Sequence, residues 1–431
     1  MNKYVAILFL FISTAFVAQK TYVPDDNFEA YLEANSLGDG IANNDSVSTS
    51  LISSIDTLEI NKIGIADFTG INSFTALKLL EASDNIAPVI DINGLNNLEN
   101  FELSSDSLNS LSVRNCFNIG FVFMGGYDLD NLLFENCISL SAFQSNQCSF
   151  DTVILKGCSS LMIFDSPYQQ ILSFEQTNCP SLTEIDLESN RLSSIDLTGC
   201  PSIESLKLSD NLLTNIDLSG FLLLETLEIF ENPLDSLNVS GCTSLQELYA
   251  VKINNNLSYL NVIGCTDLQY LYCSDNQLQN LDVSNCSSLE EIECSNNQLQ
   301  NLDFSSCDSL NYLDCRYNNI TSLNLSGLTL LKSLYLRYNP LDSLNVSGCI
   351  SLTELELEKG INNLSYLNVN FCTALEYLYC NDNQLQNLDV SSCVSLRQFE
   401  CRDNNLISLD LSGLNQLNYL NLENNPLDSL N

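Results

Sequence analysis

The cysteines are the residues whose type and spacing first suggest chemistry. The chain has 18 of them, and most recur at a spacing of 21 residues, as in the run Cys116, Cys137, Cys158, Cys179 and Cys200. A zinc site would need paired ligands, but the sequence contains no Cys-x-x-Cys pair and no histidine. The equivalent position elsewhere holds Leu or Phe, so we predict buried free thiols that act as packing residues. Disulfides remain the alternative, because stacked turns would bring Cα atoms into bonding range.

Acid–base catalysis has little support in the sequence. Without histidine, the usual general base is missing and Ser-His-Asp or Cys-His arrangements cannot be built. Carboxylate pairs such as Glu291 with Glu293 do occur, but alternate residues of an open strand provide no pocket that would shift a pKa. We therefore predict that the protein is not an enzyme. The net charge of −39 also excludes nucleic acid and anionic membrane surfaces as ligands.

One repeated unit of about 21 residues positions these side chains. Residues 268–288, LQYLYCSDNQLQNLDVSNCSS, carry apolar residues at positions 1, 4, 6, 11, 14 and 16, Asn at position 9 and Cys at position 19. The pattern L-x-x-L-x-L-x-x-N-x-L at this period is typical of a leucine-rich-repeat solenoid. Units of this kind can be phased from Ile55 to the end of the chain. We predict a solenoid over residues 55–431 with 18 turns, the last one incomplete.

Each unit predicts its own secondary structure. Positions 3 to 7 form the strand of a parallel concave β-sheet, and the alternating LDVS segment predicts a short second strand on the opposite side. Asn at position 9 should bond the backbone of the adjacent turn, and we interpret these buried amides as a ladder whose members satisfy each other. Residues 20–54 form an N-terminal cap whose helix starts at Pro24 and buries Phe28, Tyr31 and Leu32.

A longer period is also present. Units that begin at Leu224, Leu331 and Leu417 carry NPLDSLN, and in the first two the next unit contains NNLSYLNV. The stretch from Leu224 is thus a super-repeat of five turns with a partial second copy. Because the third copy stops at Asn431 without a polar cap, we expect the given sequence to be truncated.

The arrangement of the polar residues raises the question of a calcium site. Position 15 holds Asp or Asn in most turns, usually followed two residues later by Ser or Thr, and local hydrogen bonds to the backbone explain this pattern. Stacked carboxylates about 5 Å apart repel each other, so a weak structural calcium effect stays open. The Gly/Asp/Asn-rich loop 35–45 lacks the spacing of an EF-hand, and we interpret it as a capping loop. We predict no other cofactor.

Residues 1–19 resemble an export signal. Lys3 precedes an apolar run from Tyr4 to Val17, and Ala18 with Gln19 offers a cleavage point. The run is too short to span a bilayer comfortably. We therefore expect a secreted or outer-surface protein without membrane insertion.

Three segments carry a family resemblance. The opening YVPDDNFEAYLE, the following IADFTGINSFTAL and the LxxLxCxxNxLxxLDVSxC repeats are similar to the secreted leucine-rich-repeat proteins of flavobacteria and related Bacteroidota, over essentially the whole mature chain. Members typically end in a C-terminal sorting domain read by type IX secretion, so the resemblance implies a destination at the cell surface or in the medium. The cap-plus-repeat plan is also similar to internalins, which bind host proteins.

Tyrosines and acids fill the outward positions 3 and 5 of the predicted concave sheet. From Leu182 onward these positions hold ten acids and eight tyrosines, and tyrosine supplies apolar contact area with little loss of entropy. The pairs Tyr270 with Tyr272 and Tyr377 with Tyr379 occupy matching turns and suggest two equal sites. The predicted ligand-binding residues are Tyr249, Tyr270, Tyr272, Glu291, Glu293, Tyr312, Asp314, Arg316, Tyr335, Arg337, Tyr377, Tyr379, Glu400 and Arg402.

The predicted function follows from this face. We expect a binding module for a protein or glycan ligand, in which the three arginines orient acidic groups of the ligand, and we expect no obligate oligomer. Two alternatives stay open: neighbouring rings could simply cover one another, and the solenoid could serve mainly as a structural or adhesive spacer.

Overall fold

The computed structural model describes residues 19–103, 107–126, 128–251, 257–358 and 363–431. They form a parallel β-solenoid of about 17 turns with little helix, as the repeat pattern predicted. Nearly all of the predicted signal peptide, residues 1–18, lies outside the described residues. Neither described helix has the length and apolar character needed to cross a bilayer.

The predicted N-terminal cap helix is present. Strand Lys20–Tyr22 pairs antiparallel with Ser46–Ser48, helix α1 spans Asp26–Ala34, helix α2 spans Thr49–Ile52 and a 3-10 turn covers Ile71–Ser73. Phe28 and Leu32 are fully buried on one face of α1.

Asp25 joins this cap to the first turn. One carboxylate oxygen accepts the backbone N–H of Phe28 at 2.9 Å, which caps α1. The other oxygen accepts the N–H groups of Ala66 and Asp67 at 2.7 and 3.1 Å. One side chain therefore both starts the helix and fixes it to the solenoid.

The acids of the cap are engaged by the loop that follows α1. Glu29, 1% exposed, accepts the backbone N–H groups of Asn44 and Asp45, and Glu33 accepts those of Asp39 and Gly40. A carboxylate that accepts several backbone hydrogen bonds is stable without a counter-ion of its own. These bonds support the interpretation of residues 35–45 as a capping loop.

The main sheet contains one short parallel strand per turn. Its central residue points into the core and the two flanking residues point outward. A three-stranded sheet contains Thr57–Glu59, Leu79–Glu81 and Asn100–Glu102. A 15-stranded sheet contains Phe121–Gly125, Ala142–Asn146, Ile163–Asp165, Glu184–Asp186, Ser205–Lys207, Thr226–Glu228, Glu247–Tyr249, Tyr270–Tyr272, Glu291–Glu293, Tyr312–Asp314, Ser333–Tyr335, Glu354–Glu356, Tyr377–Tyr379, Gln398–Glu400 and Tyr419–Asn421.

Strands also form on the opposite, second side, as predicted, but in fewer turns. They are Val89–Asn93, Ser110–Arg114, Asp128–Glu135, Ser149–Lys156 and Ser173–Thr177 in one sheet, and Ile216–Asp217, Ser236–Asn238, Tyr259–Asn261, Ser322–Asn324, Ser343–Asn345, Tyr366–Asn368, Ser408–Leu409 and Ser429–Leu430 in three smaller ones. The NLDVS and NLDFS segments near residues 281, 302 and 388 form no strand. The motif on which the prediction rested therefore marks turns where pairing fails.

The side chain at position 15 explains this difference. In paired turns the backbone N–H of Leu325 donates to the carbonyl of Asn345 at 2.9 Å, and the Asn345 amide donates to Oδ1 of Asn324 at 3.2 Å. Aspartate has no N–H to donate and repels a neighbouring carboxylate. Within the described residues, no backbone hydrogen bond joins Val283 to Asp303 or Val390 to Asp410. From Asp196 onward, each second-side pairing is made to a following turn that holds asparagine at position 15, as Asp217 pairs with Asn238, and turns of the described chain followed by aspartate do not pair. Asp303 is the exception, because it does not pair with Asn324.

The predicted ladder of buried asparagines is confirmed, but with different partners. The Asn318 amide nitrogen donates to the carbonyls of Cys294 and Cys315 at 3.0 and 3.1 Å, and its oxygen accepts the N–H of Leu299 at 3.0 Å. Each amide thus binds backbone of its own and the preceding turn rather than another amide. Asn85, 4% exposed, extends this pattern to the second turn.

The cysteines are packing residues, as predicted. All 18 are buried and free. Where the thiol contacts polar atoms, it often donates to a carbonyl of the preceding turn, as from Cys242 to Leu218 at 3.1 Å and from Cys265 to Val239 at 3.2 Å. Burial raises the pKa of Cys307 to about 11 and that of Cys265 to about 12. The reactive thiolate is therefore scarce at neutral pH.

Alkylation of the cysteines should distinguish the folded protein from the unfolded protein. We expect iodoacetamide to modify almost no cysteine in the folded chain and all 18 in denaturant, as counted by mass spectrometry. A Ser322→Cys variant, which places a thiol at an exposed site, should gain one modified residue while folded. Disulfide-linked peptides from neighbouring turns would contradict this packing role.

Candidate functional site

The main face, formed by the outward residues of the main sheet, contains the predicted binding residues. Because the strands pair in register, each outward side chain lies beside its equivalents in the adjacent turns, as Tyr249 does beside Tyr272 and Glu291 beside Tyr312. The two outward columns therefore contain both rings and carboxylates in close contact. Most of these tyrosines are half-buried by their neighbours.

Several tyrosines donate to acids of the same face. Tyr272 donates to Glu291 at 3.1 Å, and Tyr335 donates to Glu354 at 2.7 Å. Burial, together with these acceptors, raises the pKa of Tyr335 to about 12. The phenols therefore stay protonated, and each holds a carboxylate in a fixed orientation.

The two predicted tyrosine pairs have different neighbours. Tyr272 stacks on Tyr249 with ring centroids 5.0 Å apart and planes 16° apart. Tyr379 instead lies between Glu356 and Glu400 in register. The pairs are not equivalent, and the rings partly cover one another, as the alternative interpretation anticipated.

The densest group of rings lies between those pairs. We call Tyr312, Arg316, Tyr317, Tyr335, Arg337 and Tyr338, which occupy two adjacent turns, the Tyr/Arg cluster. The rings of Tyr312 and Tyr335 are 5.6 Å apart, and those of Tyr317 and Tyr338 stack at 4.3 Å. The guanidinium of Arg316 lies 5.5 Å from the Tyr335 ring, which fits a cation–π contact. A shallow depression of about 320 Å³ adjoins the cluster at Arg316 and Tyr317.

The arginines bind acids of the face itself. Arg316 forms a bidentate pair with Asp314, which is 3% exposed, at 2.6 to 3.1 Å. Arg337 pairs with Glu356 at 3.1 Å, and Arg402 lies 3.4 Å from Asp382. Their predicted role, to orient acidic groups of a ligand, stays a prediction. In the structure each guanidinium pairs with an acid of the protein, which neutralises and positions that acid.

The remaining acids of the face carry uncompensated charge. Burial and the charge of Asp314 raise the pKa of Glu293, and burial likewise raises the pKa of Asp165 and Asp186. A raised carboxyl pKa means that the folded face disfavours the ionised form. A cationic partner would relieve that cost.

Two residues of the cluster were missed by the sequence analysis. Tyr317 and Tyr338 have left-handed backbone, with φ of 54° and 59°, where other turns mostly hold Asp or Asn, as at Asp275 and Asn296. A bulky residue there costs roughly 1 kcal/mol. The available signal was the tripeptide RYN, which occurs in two consecutive turns.

Comparisons with known proteins agree with the repeat pattern. Solved structures with similarity to the chain include the functional domain of InlJ from Listeria monocytogenes, which "includes a cysteine ladder", at 21% identity over 96% of this chain and 73% of that one, with a TM-score of 0.41. YopM from Yersinia enterocolitica is 21% identical over 88% and 89% of the two chains, with a TM-score of 0.44. A leucine-rich-repeat protein of Leptospira interrogans is 18% identical over 83% and 92%, with a TM-score of 0.46.

A family model matches one part of the sequence. None of the curated proteins matches the chain. Residues 266–307 match the family described as "Leucine Rich repeats (2 copies)". The chain therefore carries leucine-rich repeats, arranged as a parallel β-solenoid.

Proposed function

We propose that the protein is an exported binding module whose main face takes a basic protein surface, with the Tyr/Arg cluster at the centre of the contact. The observation that carries this proposal is the pair Tyr317 and Tyr338. Both rings stack at 4.3 Å in left-handed backbone that Asp or Asn would occupy with less strain. Strained residues that stability alone would not select are typical of functional surfaces.

The composition of the cluster supports a protein contact. Tyrosine and arginine dominate the residues whose truncation weakens protein interfaces most. Here the internal ion pair of Arg316 with Asp314 and the stacked rings hold the side chains in place before a ligand arrives. A preorganised surface loses less conformational entropy on binding.

Charge indicates the kind of partner. The chain has 54 acids against 15 basic residues, and acids flank the cluster on both sides, at Glu293 and Glu356. A basic surface would be attracted at long range and would offset the repulsion of Glu293 by its neighbours Asp314 and Glu291. Export to the surface or medium, by the type IX route that the family resemblance implies, is part of the proposal and rests on the sequence of residues 1–19 and of the cap.

Asparagine in place of both clustered tyrosines tests the proposal. Tyr317→Asn/Tyr338→Asn removes the rings and inserts the residue that Asn296 and Asn424 place at the same backbone position, so the fold should be equally stable or more stable. Peptides from a random phage-displayed library, selected on the wild-type protein, should be rich in Lys and Arg. We expect the double variant to bind them about 30-fold more weakly, which corresponds to about 2 kcal/mol.

Tyr168→Asn is the matched control. Tyr168 has the same left-handed conformation, φ 62°, and is 67% exposed, but it lies outside the cluster and contacts Glu188. This variant should bind the selected peptides like wild type, and lowering the pH should weaken all binding as the face acids gain protons. Undiminished affinity in the double variant, or selected peptides without basic residues, would contradict the proposal. Failure to select any peptide would favour a spacer.

A further inference from the structure

The second side has openings next to two exposed tyrosines. Tyr259 and Tyr366 occupy equivalent places in the two super-repeats and are 56% and 55% exposed. Each stands in a paired strand, Tyr259–Asn261 or Tyr366–Asn368, after which the ladder opens for at least one turn. Other turns carry serine here, as at Ser236 and Ser343. A large ring at this position therefore coincides with an opening both times.

The opening after Tyr366 interrupts the backbone ladder of the second side. In the turn before it, the N–H of Val346 donates to the carbonyl of Asn368 at 3.0 Å. Within the described residues, the equivalent bonds from Val369 to Asp389 and from Val390 to Asp410 do not form. Val369 and Val390 are themselves fully buried, so the side chains rather than the backbone N–H groups of this opening are available to a ligand.

A groove of about 530 Å³ occupies this opening. Its walls include the Tyr366 ring, the Asn387 amide and the carboxylates of Asp389 and Asp410, and the largely buried Leu388 lies at its base. The equivalent opening after Tyr259 contains a smaller groove of about 290 Å³ lined by residues 280–283 and 301–303, which begins one turn beyond the tyrosine and does not include it. The two grooves therefore repeat the same asparagine and aspartate lining.

The chemistry of this lining fits a sugar. An exposed aromatic ring packs against the C–H face of a pyranose, and carboxylates and amides exchange hydrogen bonds with its hydroxyls. Among the described residues that line either groove there is no Lys or Arg, so an anionic glycan would meet only like charge.

We propose that these two grooves on the second side bind a neutral oligosaccharide, with Tyr366 as the stacking platform in the wall of the first groove and Tyr259 as the platform on the paired strand one turn before the second. The tyrosines are five turns apart, which places the sites roughly 24 Å from each other along the rod at the ordinary strand spacing. One glycan chain can span that distance, so the two sites act together and gain avidity. This site is on the side opposite the main face and is independent of the function proposed there.

Serine substitution of the tyrosines provides the first test. Tyr366→Ser, Tyr259→Ser and the double variant introduce the residue that neighbouring turns already carry, so the fold should be retained. Calorimetric titration with neutral hexasaccharides of glucose, mannose and N-acetylglucosamine should detect binding to wild type by at least one of them. We expect each single variant to lose about 10-fold in affinity and the double variant to lose binding altogether. Tyr168→Asn, remote from both grooves, should bind like wild type.

Closing the ladder provides the second test. Asp389→Asn/Asp410→Asn supplies amide donors that reconnect the turns, so the N–H groups of Val369 and Val390 should exchange more slowly with deuterium. The groove after Tyr366 should then lose the sugar although the ring is unchanged. The proposal is overturned if no neutral hexasaccharide binds wild type, if the serine variants bind equally well, or if only an acidic hexasaccharide such as that of hyaluronan binds.

Discussion

Asn318→Ala should lower the free energy of unfolding by about 3 kcal/mol. The amide is 6% exposed and bonds the carbonyls of Cys294 and Cys315 and the N–H of Leu299. Alanine would leave the buried N–H of Leu299 without an acceptor, which costs about 1 to 3 kcal/mol. It would also remove two further hydrogen bonds, each worth about 1 kcal/mol, although the two carbonyls keep the amides of Asn297 and Asn339 as donors. Guanidinium unfolding followed by circular dichroism would measure the loss.

Asn319 provides a matched control for this substitution. It is the next residue in the chain and is exposed, so Asn319→Ala should change stability by less than about 0.5 kcal/mol. A solenoid can open locally, and deuterium exchange at the Leu299 N–H should therefore accelerate in Asn318→Ala alone. Equal losses of unfolding free energy in the two alanine variants would show that the asparagine ladder does not stabilise the solenoid.

Phe143→Ala should destabilise the solenoid by about 3 to 5 kcal/mol. Its ring is fully buried, stacks on Phe164 with centroids 4.9 Å apart, and meets the edge of Phe134 at 5.7 Å. Alanine would leave a cavity among aromatic residues of three consecutive turns, because rigid strands on both sides cannot collapse into it.

Substitution of Phe123 tests whether burial of the ring accounts for the loss of stability in Phe143→Ala. It lies in the adjacent strand but points outward and is 58% exposed, so Phe123→Ala should cost less than about 0.5 kcal/mol. Phe143→Leu should fall between the two, since leucine fills the equivalent position in most other turns. A small effect of Phe143→Ala, measured by the midpoint of urea unfolding, would mean that this part of the core repacks.

The sequence predicted the main sheet because the repeat of about 21 residues permits few other arrangements of the strands. One apolar residue must point inward in every strand, and a slip by one residue would reverse all faces. The second side was harder, because Asp and Asn at position 15 make the same local bond to the backbone two residues later, as Asp303 and Asn324 both do. Only asparagine has amide hydrogens, and those of Asn238 and Asn345 reach the preceding turn, which the local pattern does not reveal.

The candidate site was predicted in part. The outward tyrosines lie where the alternation of the strand predicted. Tyr317 and Tyr338 were not predicted as site residues because they follow the strand, at a position with left-handed backbone where the sequence pattern indicates a turn. The ion pair of Arg316 was not predicted, because spacing does not reveal that Asp314, two residues earlier, accepts its guanidinium.

The interrupted ladder also has a mechanical consequence. The main sheet runs without a break through 15 strands, whereas the second side is held by separate groups of two to five. A solenoid whose turns are hydrogen-bonded continuously on one side but only in separate groups on the other bends most easily where those bonds are missing. Each opening is therefore a flexible point of the solenoid. A ligand that fills an opening would stiffen the solenoid there and would change the spacing of the tyrosines on the opposite face.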